Sequence, residues 1–119
     1  QGVLINISSG AAWGGYAGWG PYCMGKAAVD RMSETLALEE AANGLRVHAL
    51  APGIVDTDMQ ALIRSSDPKV FPLVENFIEY KQNQAFNSVE FVAAHVEQLA
   101  FNPEFPHDEV VVRVPAENG

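Results

Sequence analysis

Basic residues and cysteine are both scarce in this chain of 119 residues, and each scarcity excludes a class of protein. Seven Lys and Arg stand against 15 Asp and Glu, giving a formal charge of −8 without any basic run. We therefore expect no surface for nucleic acid or for an anionic membrane. The single cysteine, Cys23, excludes an internal disulfide framework and a multi-cysteine zinc site. The three histidines, His48, His95 and His107, are far apart and show no metal-ligand spacing.

Long hydrophobic runs are also missing, since no apolar stretch reaches the roughly 18 residues that a membrane helix needs. The hydrophobic content of 48% is ordinary for a packed core and argues against intrinsic disorder. The chain opens on QGVLINI, which is strand-like from its first residues, without an initiator Met or a signal-peptide pattern. We expect that it was trimmed or is the later part of a longer chain.

The first half of the sequence predicts a strand, a glycine-rich loop, a long helix and a second strand. The apolar run 3–7 is typical of a strand buried on both faces of a parallel sheet. Residues 10–20 hold five glycines among aromatic side chains, which predicts a loop. Residues 22–42 are rich in helix formers, and residues 45–51 form a second apolar run. This order predicts a βαβ unit, in which helices cover a parallel sheet.

Apolar residues recur in the 22–42 helix at spacings of three and four, so we expect them to form one buried face. They are Ala28, Met32, Thr35, Leu36 and Leu38. The second half predicts short helices over 59–64 and 73–81, a helix over 89–101 and a third strand over 110–114.

Polar residues with chemical potential lie where the predicted strands end, which is where ligands bind in open parallel sheets. Ser9 follows the first strand, and the helix that opens with Tyr22 and Lys26 starts at the same edge. A tyrosine phenol has a reference pKa near 10, and a neighbouring ammonium group lowers such a pKa. Tyr22 and Lys26 share a helix face, so they can form a general acid–base pair, with Ser9 donating to a substrate oxygen. A surface tyrosine stacked on a lysine stem is the alternative.

The segments INISSGAAWGGYAGWGPYCMGKAAVD and LRVHALAPGIVDTDM resemble the second half of a short-chain dehydrogenase/reductase. In that family a strand ends in Asn-x-Ser-Ser, and the catalytic Ser lies 13 positions before the Tyr of Tyr-x-x-x-Lys, a spacing that Ser9 and Tyr22 match. The next strand ends in Pro-Gly-x-x-x-Thr, matched by Pro52, Gly53 and Thr57. The resemblance is strong over residues 2–64. The patterns GWxxYC, ALEE and PGxxDTxMQ resemble the sepiapterin reductase and benzil reductase branch most closely.

This resemblance implies an α/β fold, a Rossmann-like doubly wound parallel sheet of which residues 1–119 would be the C-terminal half. It implies an oxidoreductase that reduces a carbonyl with NADPH, with NAD(H) as the other cofactor possible. The substrate would be a 1,2-dicarbonyl such as benzil or a pterin side-chain diketone. Ser9 would polarise the carbonyl, Tyr22 would donate the proton, and Lys26 would favour the phenolate of Tyr22 and bind the nicotinamide ribose.

The resemblance also implies binding residues. Tyr22 and Lys26 would also contact the cofactor. In the loop after the second strand, Pro52, Gly53 and Val55 would line the nicotinamide ring, with Val55 on its carboxamide. Thr57 would contact the carboxamide or a phosphate. Residues 57–80 would form a substrate lid. Three side chains are candidates for the walls of the substrate site: Trp13, Trp19 and Met59. The alternative for both tryptophans is burial against the lid.

Two other functions remain open on the sequence. One is a short-chain dehydrogenase for another alcohol, such as a sugar, steroid or acyl substrate, and the other is a non-catalytic oligomerisation module built on the 22–42 helix. The expected partners are a small-molecule carbonyl substrate and further copies of the full-length protein, as a dimer or tetramer in the cytoplasm. The family's glycine-rich pyrophosphate turn, its tetrad Asn and the residue that separates NAD from NADP lie outside this sequence.

Overall fold

Three parallel strands form one sheet in the computed structural model, which describes residues 2–82 and 86–118. β1 (Gly2–Ile7), β2 (Leu45–Ala51) and β3 (Val111–Arg113) lie side by side in that order. All neighbouring strands are parallel, so their carboxyl ends meet at one edge of the sheet. The predicted α/β architecture is confirmed.

Four α-helices connect or flank the strands of the described chain. They are α1 (Gly20–Glu40), α2 (Asp58–Arg64), α3 (Val74–Gln82) and α4 (Val89–Phe101). Pro21 lies in the first turn of α1, where its missing N–H costs no helical hydrogen bond. A short 3₁₀ turn over Ala41–Asn43 follows α1 and ends at Gly44, whose φ of 78° suits glycine. The predicted order of elements is therefore confirmed, and no described helix is both long and apolar enough to cross a membrane.

The buried face of α1 is not the one that the apolar spacing predicted. Of the five predicted residues, Leu36 is half-buried and the other four are exposed, with Leu38 at 83% and Met32 at 53% exposure. Asp30 and Ser33 are buried instead. The prediction was wrong because it counted apolar side chains and overlooked what polar ones bond to.

The polar seam between α1 and β1 gives the physical reason for that difference. We use this name for three side-chain hydrogen bonds that tie the helix to the strand. Asn6 Nδ2 donates to Ser33 Oγ at 3.0 Å, the Ser8 hydroxyl donates to the carboxylate of Asp30, and Lys26 Nζ donates to the carbonyl of Ile7 at 3.0 Å. A polar group costs little to bury when it is hydrogen-bonded, so α1 can turn this side to the strand.

β1 also differs from its prediction, because it is not buried on both faces. Val3 and Leu4 are each 37% exposed and Ile7 is 51% exposed. β1 is an edge strand in the described sheet, with β2 on one side only. The central strand β2 carries the core, and its residues from Val47 to Ala51 are all buried.

Two apolar clusters hold the remaining elements. Leu50 of β2, Leu99 of α4 and Val114 after β3 form one of them. Ile63, Phe71 and Val74 form the other, around α2 and α3, and Trp19 packs against it from the glycine-rich loop. The second cluster therefore joins the region of the predicted lid to the start of α1.

Candidate active site

Tyr22 and Lys26 lie together at the carboxyl end of β1. The Lys26 ammonium nitrogen is 5.8 Å from the centroid of the Tyr22 ring. The same nitrogen donates to the carbonyl of Ile7, the last residue of β1, at 3.0 Å. Because Ile7 is two residues before Ser9, the side chains of Tyr22 and Lys26 lie at the same edge of the sheet as Ser9. The structure thus brings the predicted acid–base pair to the predicted place.

The two adjacent serines at this edge have different roles in the structure. Ser8 is buried and its hydroxyl donates to Asp30. Ser9 is half-buried, and its Oγ accepts from the backbone N–H of Ala11 at 3.1 Å, which caps a 3₁₀ turn over Gly10–Ala12. A serine hydroxyl that accepts one bond still has its proton to donate. Of the two serines, Ser9 is therefore the one that can polarise a substrate oxygen.

The loop after β2 is held open by a glycine and by a buried asparagine. Gly53 has a φ of 83°, a left-handed conformation that favours glycine. A Cβ on Gly53 would meet Asn87 Nδ2 at 2.6 Å, which is too close for any other residue. Pro52, Gly53 and Val55, the predicted nicotinamide contacts, therefore follow a fixed backbone course at the carboxyl end of β2.

Asn87 is the residue at this site that sequence reasoning missed. It is 6% exposed, and its Nδ2 donates to the carbonyls of Pro52 at 2.9 Å and Pro115 at 3.2 Å. Its Oδ1 accepts from the backbone N–H of Glu117 at 2.9 Å, and its own N–H donates to the carbonyl of Ile54. Its side-chain partners lie 28 to 35 residues away in the chain, so no local pattern could reveal them.

The predicted lid, residues 57–80, starts just before α2. Thr57 is the N-cap of α2 through its carbonyl, and its side chain makes no capping bond. Asp56 forms an ion pair with Arg64 at the other end of α2, with 3.3 Å between Oδ1 and Nη2. Met59 is 43% exposed. The start of α2 therefore does not use the Thr57 hydroxyl. This leaves the hydroxyl available to a ligand, as the predicted cofactor contact requires.

The two tryptophans of the glycine-rich loop have separate surroundings. Trp19 stacks on Phe71 with ring centroids 4.8 Å apart and planes 4° apart, and meets Tyr22 edge-on at 5.0 Å. It therefore packs against the lid region, which was the alternative to a substrate wall. Trp13 is 41% exposed, and the guanidinium carbon of Arg113 lies 4.0 Å from its ring centroid.

His48 lies in β2 away from this edge and has a structural role, as its position in a strand predicted. It is 1% exposed, its Nε2 lies 3.0 Å from Arg46 Nη1, and its Nδ1 lies 2.8 Å from the carbonyl of Glu109. A neutral ring fits both partners when Nδ1 donates to the carbonyl and Nε2 accepts from Arg46. Burial lowers the pKa of His48 below 6.5, with Arg46 adding to the effect against the hydrogen bond to Glu109.

A family model described as short chain dehydrogenase matches residues 1–68, more than half of the chain and the part that carries Ser9, Tyr22 and Lys26. The chain belongs to the short chain dehydrogenase family. The chain is 41% identical over 110 residues, 91% of its length, to a benzil reductase ((S)-benzoin forming) from Bacillus cereus. It is also 49% identical over 70 residues to sepiapterin reductase from Mus musculus, which is 57% of this chain.

Solved structures agree with the family. The chain matches a short chain dehydrogenase/reductase from Saccharomyces cerevisiae with a TM-score of 0.82 at 30% identity, over 98% of this chain and 47% of that one. It matches the KRED1-Pglu enzyme with a TM-score of 0.77 at 31% identity, over 86% and 43% of the two chains. The chain spans less than half the length of its relatives, 44% of the Bacillus cereus reductase and 26% of the mouse one.

Proposed function

We propose that this chain is the catalytic C-terminal part of an NADPH-dependent carbonyl reductase that acts on 1,2-dicarbonyl compounds. The observation that carries the proposal is the position of Lys26, whose ammonium group contacts the end of β1 and lies beside the ring of Tyr22. A benzil reductase and a sepiapterin reductase among the relatives support the dicarbonyl substrate and the reductive direction.

The residues of the chain divide the chemistry between them. Ser9 donates a hydrogen bond from its hydroxyl to the substrate oxygen, where negative charge develops as the carbonyl is reduced. Tyr22 gives its phenolic proton to that oxygen as the alcohol forms. Lys26 stabilises the phenolate that this transfer leaves on Tyr22. The ammonium group of Lys26 is held in position because it donates a hydrogen bond to the Ile7 carbonyl.

A nicotinamide cofactor fits the loop after β2. The loop turns at Gly53, where no side chain projects, and Asn87 holds it by a hydrogen bond to the Pro52 carbonyl. Gly53 is exposed, at the same edge of the sheet as Tyr22. Pro52, Gly53 and Val55 would contact the nicotinamide and Thr57 its carboxamide or a phosphate. When bound, the cofactor supplies the hydride, while Lys26 binds its ribose. The resemblance to NADPH-dependent reductases is the basis for preferring NADP(H) over NAD(H).

The rest of the domain is part of the same proposal. The exposed apolar residues of β1, which is an edge strand in the described sheet, support a further segment packed beside it. We place the N-terminal dinucleotide-binding half there, the substrate under a lid of residues 57–80, and the enzyme in the cytoplasm. The exposed side of α1 carries Met24, Met32 and Leu38 and suits a homo-oligomer interface.

The test uses the full-length reductase that carries this chain and follows NADPH oxidation at 340 nm with benzil. Tyr22→Phe removes only the phenolic oxygen and is expected to lower kcat by about a hundredfold or more, the usual contribution of a general acid. Tyr16→Phe is the matched control, since the same change is made in the glycine-rich loop on a residue without a proposed role. Equal rates for the parent enzyme and Tyr22→Phe would refute the catalytic assignment. Absence of benzil reduction by the parent enzyme would contradict the dicarbonyl substrate and favour one of the alternatives, a dehydrogenase for another alcohol or a non-catalytic module.

A further inference from the structure

A positively charged side chain without a role so far lies at the same edge of the sheet as Ser9. Arg113 is the last residue of β3, and it pairs in register with Ala51 of β2. The Ser8 backbone N–H donates to Leu50, which places Ser8 in the same cross-strand row as Ala51. Two interstrand spacings, about 10 Å, therefore separate the backbones of Arg113 and Ser8.

The side chain of Arg113 lies against Trp13, four residues after Ser9. Its guanidinium carbon lies 4.0 Å from the ring centroid of Trp13. Trp13 closes the turn that Ser9 caps, since its backbone N–H donates to Gly10 at 3.1 Å. Because Trp13 follows β1 and Arg113 ends β3, the contact crosses the carboxyl end of β2, where the loop with Gly53 starts. The Arg113–Trp13 pair thus borders the proposed reaction site.

The charge of Arg113 is not neutralised by a carboxylate of the described chain. The arginines that form ion pairs there are Arg31, with Glu34, and Arg64, with Asp56. Arg113 and Trp13 are both exposed, although the whole chain carries a charge of −8. An indole ring that lies against one face of a guanidinium fixes its plane and leaves the in-plane N–H groups free. These donors match the two oxygens of a carboxylate.

We propose that Arg113 is a specificity-determining residue that binds a carboxylate of the substrate, so that the preferred substrates are aromatic keto acids. The carboxylate would lie about one aromatic ring away from the carbonyl that Ser9 and Tyr22 address, with the ring of the substrate along Trp13. This inference rests on the proposed carbonyl reductase function and narrows it to anionic substrates.

Two substrates that differ only in the carboxylate test the proposal in the full-length enzyme: benzil and benzil-4-carboxylate. We expect kcat/KM to be at least about tenfold higher for the carboxylate, which corresponds to about 1.4 kcal/mol. Arg113→Gln is expected to bring this ratio close to one, mainly by raising KM for the carboxylate. Arg113→Lys keeps the charge and should restore part of the preference. Added salt should weaken it in the parent enzyme, since an exposed ion pair is screened.

Arg31→Gln is the matched control, because it removes one positive charge from the exposed side of α1, and the ratio should stay at its parent value. Reduction of benzil without any preference for the carboxylate in the parent enzyme would overturn the role of Arg113 and leave the proposed function intact. A ratio unchanged in Arg113→Gln would also overturn it. Failure to reduce either substrate would instead contradict the proposed function itself.

Discussion

Asn87 offers the sharpest test of how the loop after β2 is built. Its buried amide makes three side-chain hydrogen bonds, to Pro52, Pro115 and Glu117. Each such bond contributes about 1 kcal/mol net, so Asn87→Ala should lower the free energy of unfolding by about 3 kcal/mol. Because Pro52 opens the loop that would contact the nicotinamide, the same variant should raise KM for NADPH more than it lowers kcat.

Asn87→Asp separates hydrogen bonding from side-chain volume. An aspartate keeps the acceptor for the Glu117 N–H but turns a carboxylate oxygen toward the carbonyls of Pro52 and Pro115. That contact is repulsive while the carboxyl is charged and becomes a hydrogen bond once it is protonated. The folded state therefore binds the proton more tightly than the unfolded chain, and the stability deficit relative to the parent should shrink as pH falls from 7 to 5.

Urea denaturation of the full-length reductase, together with KM for NADPH at saturating benzil, measures both effects. Asn102→Asp is the control, because the Asn102 amide bonds only Gln98 and the Glu104 N–H and lies at the C-terminal end of α4, away from the loop. Unfolding free energies within about 0.5 kcal/mol of the parent for both Asn87 variants would refute the reasoning, since surface substitutions fall in that range. A reduced stability with an unchanged KM for NADPH would refute the link to the cofactor loop.

Two further predictions concern the buried His48 and Gly18 of the glycine-rich loop. His48 has a pKa below 6.5 in the folded protein, so the unfolded state binds the proton first as pH falls. Stability should decrease below about pH 6.5 by up to about 1.4 kcal/mol per pH unit. His48→Gln should remove this contribution of His48, while His95→Gln, in α4, should leave it in place. Gly18 has a φ of 86° and a Cβ there would meet the Val70 carbonyl at 2.6 Å. Gly18→Ala should therefore lower the free energy of unfolding by at least about 1–2 kcal/mol and raise KM for benzil. Gly15→Ala should change neither quantity, since a Cβ there would have no atom within 4 Å. Equal effects of the two substitutions would contradict the contact between Gly18 and the lid.

The elements of the fold were predictable because each carries a local signal. Pro21 marks the start of α1, and Gly44 ends the 3₁₀ turn that follows it. The apolar run 45–51 became the central strand, and Ser88 caps α4 through the Phe91 N–H. The edge position of β1 was not predictable, because an apolar run looks the same whether or not a neighbour covers it. The buried face of α1 was misassigned because Asp30 and Ser33 are buried by bonds to another element.

The site divides in the same way. Ser9, Tyr22 and Lys26 could be found from their spacing, since the helix geometry and the end of a strand determine where they lie. Asn87 and Arg113 could not, because each acts through contacts with residues distant in the chain. Such residues show no motif of their own, and only the folded arrangement reveals what they contact.

The polar seam has a consequence for how such an enzyme can change. Apolar packing lets a helix slide by fractions of an ångström along its neighbour, but hydrogen bonds lose strength quickly when donor and acceptor shift. Three such bonds, at Asn6, Ser8 and Lys26, lie along one interface and fix the position of α1 along the strand. The loops around the site can then change in length or in side chains while Tyr22 and Ser9 keep their positions. In the proposed reductase, the substrate range can therefore change while the reaction stays the same.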